Sequence, residues 1–238
     1  MMKKSLVLAS IMSLLCISAV SFGGYNVMWG QMGMEFSQDN MMMPSDDGDG
    51  TYSLSEMWNF GAEEDGFCML DIDLDYKEDP WVQGGFSVTN TADYAQTFTF
   101  TFTSPGSPTL SGDVVYGGSM SGSYSSDFSP TTISTVSGMP SGTPLFEGFI
   151  DGASSLSFYP DPSSWSAIEP FGSGNILPQN QAITLPGPSP VTTDLEIVFT
   201  FTLSPGDVAT MNGRLEVVPE PATLALLGLG GLLLRRRK

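Results

Sequence analysis

The chain of 238 residues carries 26 acidic and eight basic side chains, a formal net charge of −18, and no histidine. The missing histidine removes the commonest general base, the usual catalytic triads and most zinc or copper sites. The acidity repels nucleic acid, so no nucleic-acid partner is expected; it attracts divalent cations or basic partners, or serves only to keep an exported protein soluble.

The N-terminus has the pattern of a secretory signal. Two lysines lie in Met1–Lys4, and the apolar run Leu6–Val20 follows. Small residues then offer cleavage after Ser21 or Gly23. The sequence therefore predicts a signal helix within residues 1–23, with the secretion machinery as a partner.

A polar, methionine-rich segment follows at residues 24–50, ahead of the main domain expected at 51–217. Between the two charged ends of the chain, Lys77 and Arg214 are the only cations. Cys68 is the only cysteine left once the signal is removed, so no intramolecular disulfide is expected despite the oxidising destination.

The acidic stretch Ser45–Glu56 resembles the twelve-position calcium loop in part. Oxygen ligands at positions three, five, nine and twelve would be Asp47, Asp49, Ser53 and Glu56. Gly50 occupies the turn position, but Ser45 stands at position one, where the loop needs a carboxylate. The alternatives are a calcium site and a solvated acidic turn that leads into a strand.

From Phe67 onward, the sequence contains recognisable strand patterns. Asp71, Asp73 and Asp75 alternate with apolar residues, which predicts a strand with three carboxylates on one face. Such a row indicates either a bound cation or an exposed edge strand whose charges prevent it from pairing with another chain.

The clearest strand is Gln96–Thr103. Its three phenylalanines, at positions 98, 100 and 102, alternate with threonines, so we predict that the rings enter a core and the threonines form an outward ladder. A flat threonine ladder also suits ice binding, but a single rank is not an array. The alternative is the solvent face of a half-buried strand.

Residues 104–190 are rich in glycine, serine and proline, with short alternating pieces at 113–116, 131–136, 145–150 and 154–159. This pattern is typical of strands joined by long loops. Trp81, Trp165 and Tyr159 offer aromatic faces to sugar rings, with core or loop packing as the alternative use.

A last hairpin is predicted from Leu195–Leu203 and Val208–Val218, joined by a turn in which Pro205-Gly206 suits the centre of a type II turn. Together these strands predict an all-β fold, an antiparallel two-sheet sandwich with long Gly/Ser/Pro-rich loops.

The chain ends in three parts. The rigid tripeptide Pro219-Glu220-Pro221 precedes the uncharged run 222–234, and four cations close the chain: Arg235, Arg236, Arg237 and Lys238. The apolar run predicts a short transmembrane helix, about 20 Å long against a hydrocarbon core of about 30 Å. The cations predict a stop on the cytoplasmic side.

These residues carry a resemblance. The segment 218–238, with Val218, Pro219, Glu220 and Pro221 followed by the glycine-spaced apolar run and the basic end, resembles the PEP-CTERM sorting signal of bacterial exported proteins. The resemblance implies recognition by a membrane-embedded exosortase, cleavage near Pro-Glu-Pro, an inner-membrane intermediate, and delivery to the cell surface or extracellular matrix. Tails of this type are also classified as the C-terminal domain of ice-binding proteins.

We therefore expect a structural or adhesive protein of the surface or extracellular matrix of a biofilm, in contact with extracellular polysaccharide. It is expected to be an exosortase substrate rather than an enzyme, and to need no cofactor except calcium if the acidic loop binds it. The alternatives are a calcium- or carbohydrate-binding surface module, an ice-binding protein and a hydrolase with paired carboxylates, although nothing singles out such a pair.

Overall fold

The computed structural model describes residues 24–29, 34–38, 45–46, 51–60, 68–77, 81–104, 114–127, 131–134, 142–167, 169–185 and 194–219. Every regular element among them is a β-strand, which confirms the predicted all-β class. The described part contains no helix long and apolar enough to cross a membrane. The expected helices at 1–23 and 222–234 lie outside the described residues.

The strands are β1 (Gly24–Trp29), β2 (Met34–Gln38), β3 (Ser45–Asp46), β4 (Thr51–Phe60), β5 (Cys68–Lys77), β6 (Trp81–Asn90), β7 (Gln96–Ser104), β8 (Val114–Ser125), β9 (Thr131–Ser134), β10 (Phe146–Ile150), β11 (Ala153–Phe158), β12 (Ser164–Ala167), β13 (Ser173–Leu185), β14 (Leu195–Leu203) and β15 (Val208–Pro219). Sheet A has the order β11-β10-β14-β7-β1-β2, with β9 pairing to β14 and β12 to β9. Sheet B has the order β13-β8-β15-β6-β5-β4-β3. Both sheets are antiparallel, as predicted.

The methionine-rich segment 24–50 contributes strands to both sheets. Strand β1 pairs along its whole length with β7 of sheet A. Strand β3 pairs with β4 at the end of sheet B. The two sheets therefore begin before residue 51, where the sequence analysis placed the start of the domain.

Alternation in β7 and β14 builds the core side of sheet A. Phe98, Phe100 and Phe102 are fully buried, while the intervening threonines are half-buried, as predicted. Strand β14 repeats the pattern with Phe199 and Phe201. The pairing of the two strands sets these rings side by side, so they form one aromatic layer.

Sheet B packs on that layer through Phe86 of β6. The ring of Phe86 is parallel to the ring of Phe100, with centroids 3.7 Å apart and planes 5° apart. Phe201 lies parallel to Phe86 at 5.9 Å, and Phe199 meets it edge-on at 5.2 Å and 81°. Burying each phenylalanine contributes about 1.5–3 kcal/mol to stability, so this cluster is a main source of the sheet-to-sheet attraction.

Glycines in sheet B make room for these rings. Gly84 of β6 and Gly213 of β15 lie directly opposite each other in the ladder. A Cβ at Gly84 would overlap the ring of Phe102, and one at Gly213 would lie 2.6 Å from atoms of both Phe146 and Phe199. The glycines leave the middle of sheet B without side chains, and the phenylalanines of sheet A fill that space.

We expect Gly84→Ala to lower the free energy of unfolding by about 1–3 kcal/mol, because the added methyl group forces the ring of Phe102 out of place. Gly117→Ala is the matched control in the same sheet, since a Cβ there meets its neighbours at ordinary contact distances of 3.7 Å. Urea unfolding of the two variants measures the difference. Equal stability of both variants would contradict the close packing of the Phe102 ring against Gly84.

A buried asparagine joins the two turns at one end of the sandwich. The turn between β14 and β15 has Gly206 at φ +76°, as the predicted type II geometry requires. The fully buried Asn90 donates from its amide to the carbonyls of Tyr94, Leu203 and Ser204, and accepts from Ala92 N–H and from Gln96 Nε2 at 2.7 Å. Its own backbone bonds to Asp207 and Gly206. Asn90 thus ties the β6–β7 turn to the β14–β15 turn.

Asn90→Ala should lower the free energy of unfolding by about 1–3 kcal/mol, because it removes the amide that donates to three backbone carbonyls of the two turns. The exposed Asn175 supplies the control, since Asn175→Ala removes an amide from the surface of sheet B. A thermal melt in which both variants unfold together would show that Asn90 does not hold the turns.

Candidate functional site

The outer face of sheet B carries a trough whose floor is strand β8. From residue 117 onward, the outward positions of β8 carry no large side chain: they are Gly117, Ser119, Ser121, Ser123 and Ser125. Longer side chains stand on the neighbouring strands, with Arg214 and Asn212 on β15 and Asn180 on β13. A row of short side chains between two rows of long ones produces the depression.

Four adjoining depressions make up this trough, with volumes of about 250, 320, 410 and 340 Å³. Neighbouring depressions share wall residues, which are Asn180 and Arg214 at one end, Asn212 and Pro178 in the middle, and Asn175 and Thr210 at the other end. From Gly117 to Ser125 the trough runs for about 27 Å at 3.4 Å per residue. It is therefore a continuous, shallow channel along the strand direction.

A bulge in β13 shapes one wall. The pairing of β13 with β8 shifts between Ile176 and Gln179. Ile176 is buried, whereas Leu177 is 66% exposed at the rim of the trough. The hydroxyl of Tyr159 donates to the carbonyl of Leu177 at 2.6 Å and accepts from Gln179 Nε2 at 3.1 Å, so the bulge is held in place.

Arg214 is held at one end of the trough. Its guanidinium lies over the ring of Trp81 at 4.6 Å from the centroid. Its Nε and one terminal nitrogen donate to the same carboxylate oxygen of Glu216 at 3.1 and 2.9 Å. Both partners of this ion pair are about 40% exposed (39% and 41%), so it adds little stability. Its effect is to orient the guanidinium and to balance its charge.

Each of the three proposed aromatic platforms is half-buried and has a neighbour against its ring. Trp165 and Tyr159 meet edge to face at 5.0 Å and 89°, and both pack against the hydrophobic core. Trp81 has Arg214 over its ring. The trough beside Trp81 was not predicted from the sequence, since the serines and asparagines that line it carry no motif.

The acidic row on β5 is placed as predicted, with Asp71 and Asp73 exposed on the outer face and Ile72 and Leu74 fully buried. The expectation of a sheet edge is wrong. Strand β5 lies between β4 and β6, because Thr51–Phe60 forms a further strand that pairs along its whole length.

The calcium candidates are only partly described. Asp47 and Asp49 lie outside the described residues. Ser53 and Glu56 both lie in the extended strand β4, where Ser53 stands opposite Asp75 on the outer face and the buried Glu56 stands opposite Ile72 on the inner face. Within the described residues, no three carboxylates or cysteines lie close enough to hold a metal ion. The calcium site stays a prediction, and its two described members face opposite sides of the sheet.

The threonine ladder has a second rank beside it. Thr97 and Thr99 of β7 lie opposite Thr202 and Thr200 of β14. The hydroxyl oxygens of Thr97 and Thr202 are 3.0 Å apart, within hydrogen-bonding distance. Further along the ladder the partners on β14 change to valine and glutamate, at positions 198 and 196, so the two-rank area is short.

Glu196 lies on this outer face, and burial raises the pKa of its carboxyl above the ordinary value of 4.5, with the nearby negative charge of Asp194 adding to the rise. A carboxyl whose pKa is raised in the folded state binds its proton more tightly when folded. The ionised group therefore destabilises the fold at neutral pH, and this penalty disappears as the pH falls through the raised pKa.

Glu196→Gln should accordingly raise the urea midpoint at pH 7, and the gain should vanish as the pH falls to the ordinary carboxyl value of 4.5 and below. The exposed Glu169 provides the control, because Glu169→Gln makes the same change in net charge on the surface. A gain that persists at low pH, or one that Glu169→Gln reproduces, would contradict a role for the half-buried charge of Glu196.

The last strand leads directly into the predicted sorting motif. Strand β15 pairs with β6 through Glu216 and with β8 as far as Pro219. Val217 is buried and Val218 is 47% exposed. Glu220, Pro221 and the basic residues Arg235, Arg236, Arg237 and Lys238 lie outside the described residues.

The PEP-CTERM protein-sorting motif matches residues 217–238. This confirms the resemblance drawn from the tail, and it implies a bacterial exported protein that passes the membrane and is processed by an exosortase. No curated protein matches the chain.

Proposed function

We propose that this chain is a structural or adhesive protein of the bacterial surface or extracellular matrix, released there by an exosortase that cleaves near Pro219-Glu220-Pro221. The sorting motif supports the export route. The adhesive role is supported by the body of the chain, whose two broad antiparallel sheets present polar outer faces on a rigid aromatic core.

The observation that carries the proposal is the overlap of the motif with the fold. The motif begins at residue 217, and β15 continues to Pro219 in the interior of sheet B. The sheet and the sorting signal therefore share residues. The sandwich itself is the cargo that the signal delivers.

A carbohydrate-binding surface module is the second candidate. The trough on sheet B favours it, because hydroxyl and amide side chains line a channel open to solvent. A carbohydrate-binding function is compatible with the adhesive role, since a matrix protein can attach to the matrix by binding its polysaccharide.

Maturation of the full chain in the bacterium that makes it tests the export route. Mass spectrometry of the mature protein should find that Arg235–Lys238 has been removed, with the body in the surface or matrix fraction. Replacing Pro219, Glu220 and Pro221 with alanine should leave an uncleaved chain in the membrane fraction. The matched control is alanine at Thr99, Thr101 and Thr103, a triple change remote from the motif.

A mature wild-type protein that retains Arg235–Lys238 would contradict exosortase cleavage. Adhesion has its own measurement: cells that lack the gene should lose retention of matrix on their surface, and the wild-type gene should restore it. Normal matrix retention in the deletion strain would contradict the adhesive role.

A further inference from the structure

We infer that the trough on the outer face of sheet B binds an extended chain of a neutral polysaccharide that lies along strand β8. The inference rests on the proposed adhesive function and names the polymer class that this function requires. Four aspects of the site support it: shape, hydrogen-bonding chemistry, charge and rigidity.

The shape suits a linear polymer. The four depressions join end to end over about 27 Å, and none of them is a closed cavity for a small molecule. The floor between Gly117 and Ser125 is free of large outward side chains. A flat, extended chain can therefore lie close to the backbone of β8 along its whole length.

The chemistry of the walls suits sugar hydroxyls, which both donate and accept hydrogen bonds. The neutral side chains around the trough also do both: they are Gln83, Asn175, Asn180, Thr210 and Asn212, with the serines of the floor. Leu177, exposed at the rim, offers an apolar contact for the C–H face of a sugar ring. The guanidinium of Arg214 adds donors in a fixed plane, because Trp81 and Glu216 hold it.

Charge selects a neutral polymer over an acidic one. Arg214 is the only lysine or arginine whose side chain the structure describes, and Glu216 balances it. On the same face of the sheet, β5 carries Asp71, Asp73 and Asp75. With a net charge of −18 on the whole chain, an acidic polysaccharide meets repulsion that no unpaired described cation offsets.

The site is rigid before it binds. Strand β8 pairs with both β13 and β15, and β15 pairs with both β8 and β6. The backbone of these interior strands, which forms the floor and one wall, loses little further freedom on binding, so less of the contact energy is spent on ordering it. Repeated weak contacts along a polymer then add up to retention, because each bound sugar raises the effective concentration of the next.

The test uses the protein matured in the producing bacterium and two probes, the neutral and the acidic fractions of that bacterium's extracellular polysaccharide. In native gels containing either fraction, we expect the protein to be retarded by the neutral polymer only. Ser119→Leu blocks the floor and Asn180→Ala removes a wall amide. Combined in one variant, these two changes should weaken the affinity for the neutral polymer about tenfold, the equivalent of about 1.4 kcal/mol. Ser157→Leu, on the exposed outer face of sheet A, is the matched control and should bind as wild type.

The variants should have the same urea midpoint as the wild type, which would show that they are folded. This is expected because Ser119, Asn180 and Ser157 all lie on outer faces. No retardation by the neutral fraction, retardation by the acidic fraction, or an equal loss in Ser157→Leu would each overturn the inference. If Ser119→Leu instead abolishes a dimer and leaves retardation intact, the trough is an interface between copies, which also overturns it. A protein that is exported, cleaved and needed for matrix retention but not retarded refutes the trough alone, whereas one that is retarded by the neutral polymer but retains its tail refutes the export route.

Discussion

The packing of Phe86 against Phe100 is the contact on which the two sheets depend, since the rings lie parallel at 3.7 Å with no side chain between them. Beside this contact, the paired glycines Gly84 and Gly213 leave the centre of sheet B bare, which makes room for the rings of Phe102, Phe146 and Phe199. The phenylalanines of sheet A supply the apolar surface, and the glycines of sheet B supply the space. Interiors are close-packed, so each set requires the other.

The strands with regular alternation could be predicted from the sequence, and those without it could not. The bounds of β14 were predicted correctly and those of β7 to within one residue, and the core face of β7 was predicted from its alternation of phenylalanine with threonine. Strand β8 was seen only in its first residues, because its inward positions are glycine, methionine and tyrosine and its outward ones are glycine and serine. Strand β13 was missed because it contains Pro178, which a bulge accommodates.

The functional surfaces likewise could be predicted only where the order of residues forms a recognisable pattern. The sorting tail is a contiguous motif, so it can be recognised from residue order alone. The trough is assembled from β8, β13 and β15, which are far apart in sequence, and its serines and asparagines are individually unremarkable. The edge assigned to Asp71–Asp75 was wrong for a related reason: Thr51–Phe60 alternates apolar with polar residues at most positions, but the order of residues does not show that this strand pairs with β5.

The position of β15 in sheet B has a consequence for how the chain matures. Among the described strands, β15 alone pairs with both β8 and β6, so without it sheet B is two separate pieces, β13-β8 and β6-β5-β4-β3. The sorting motif begins at residue 217, inside this strand, so the residues that join the two pieces and the residues that an exosortase reads are consecutive in the chain. A chain truncated before residue 208 would therefore lack both the strand that unites sheet B and the signal for sorting.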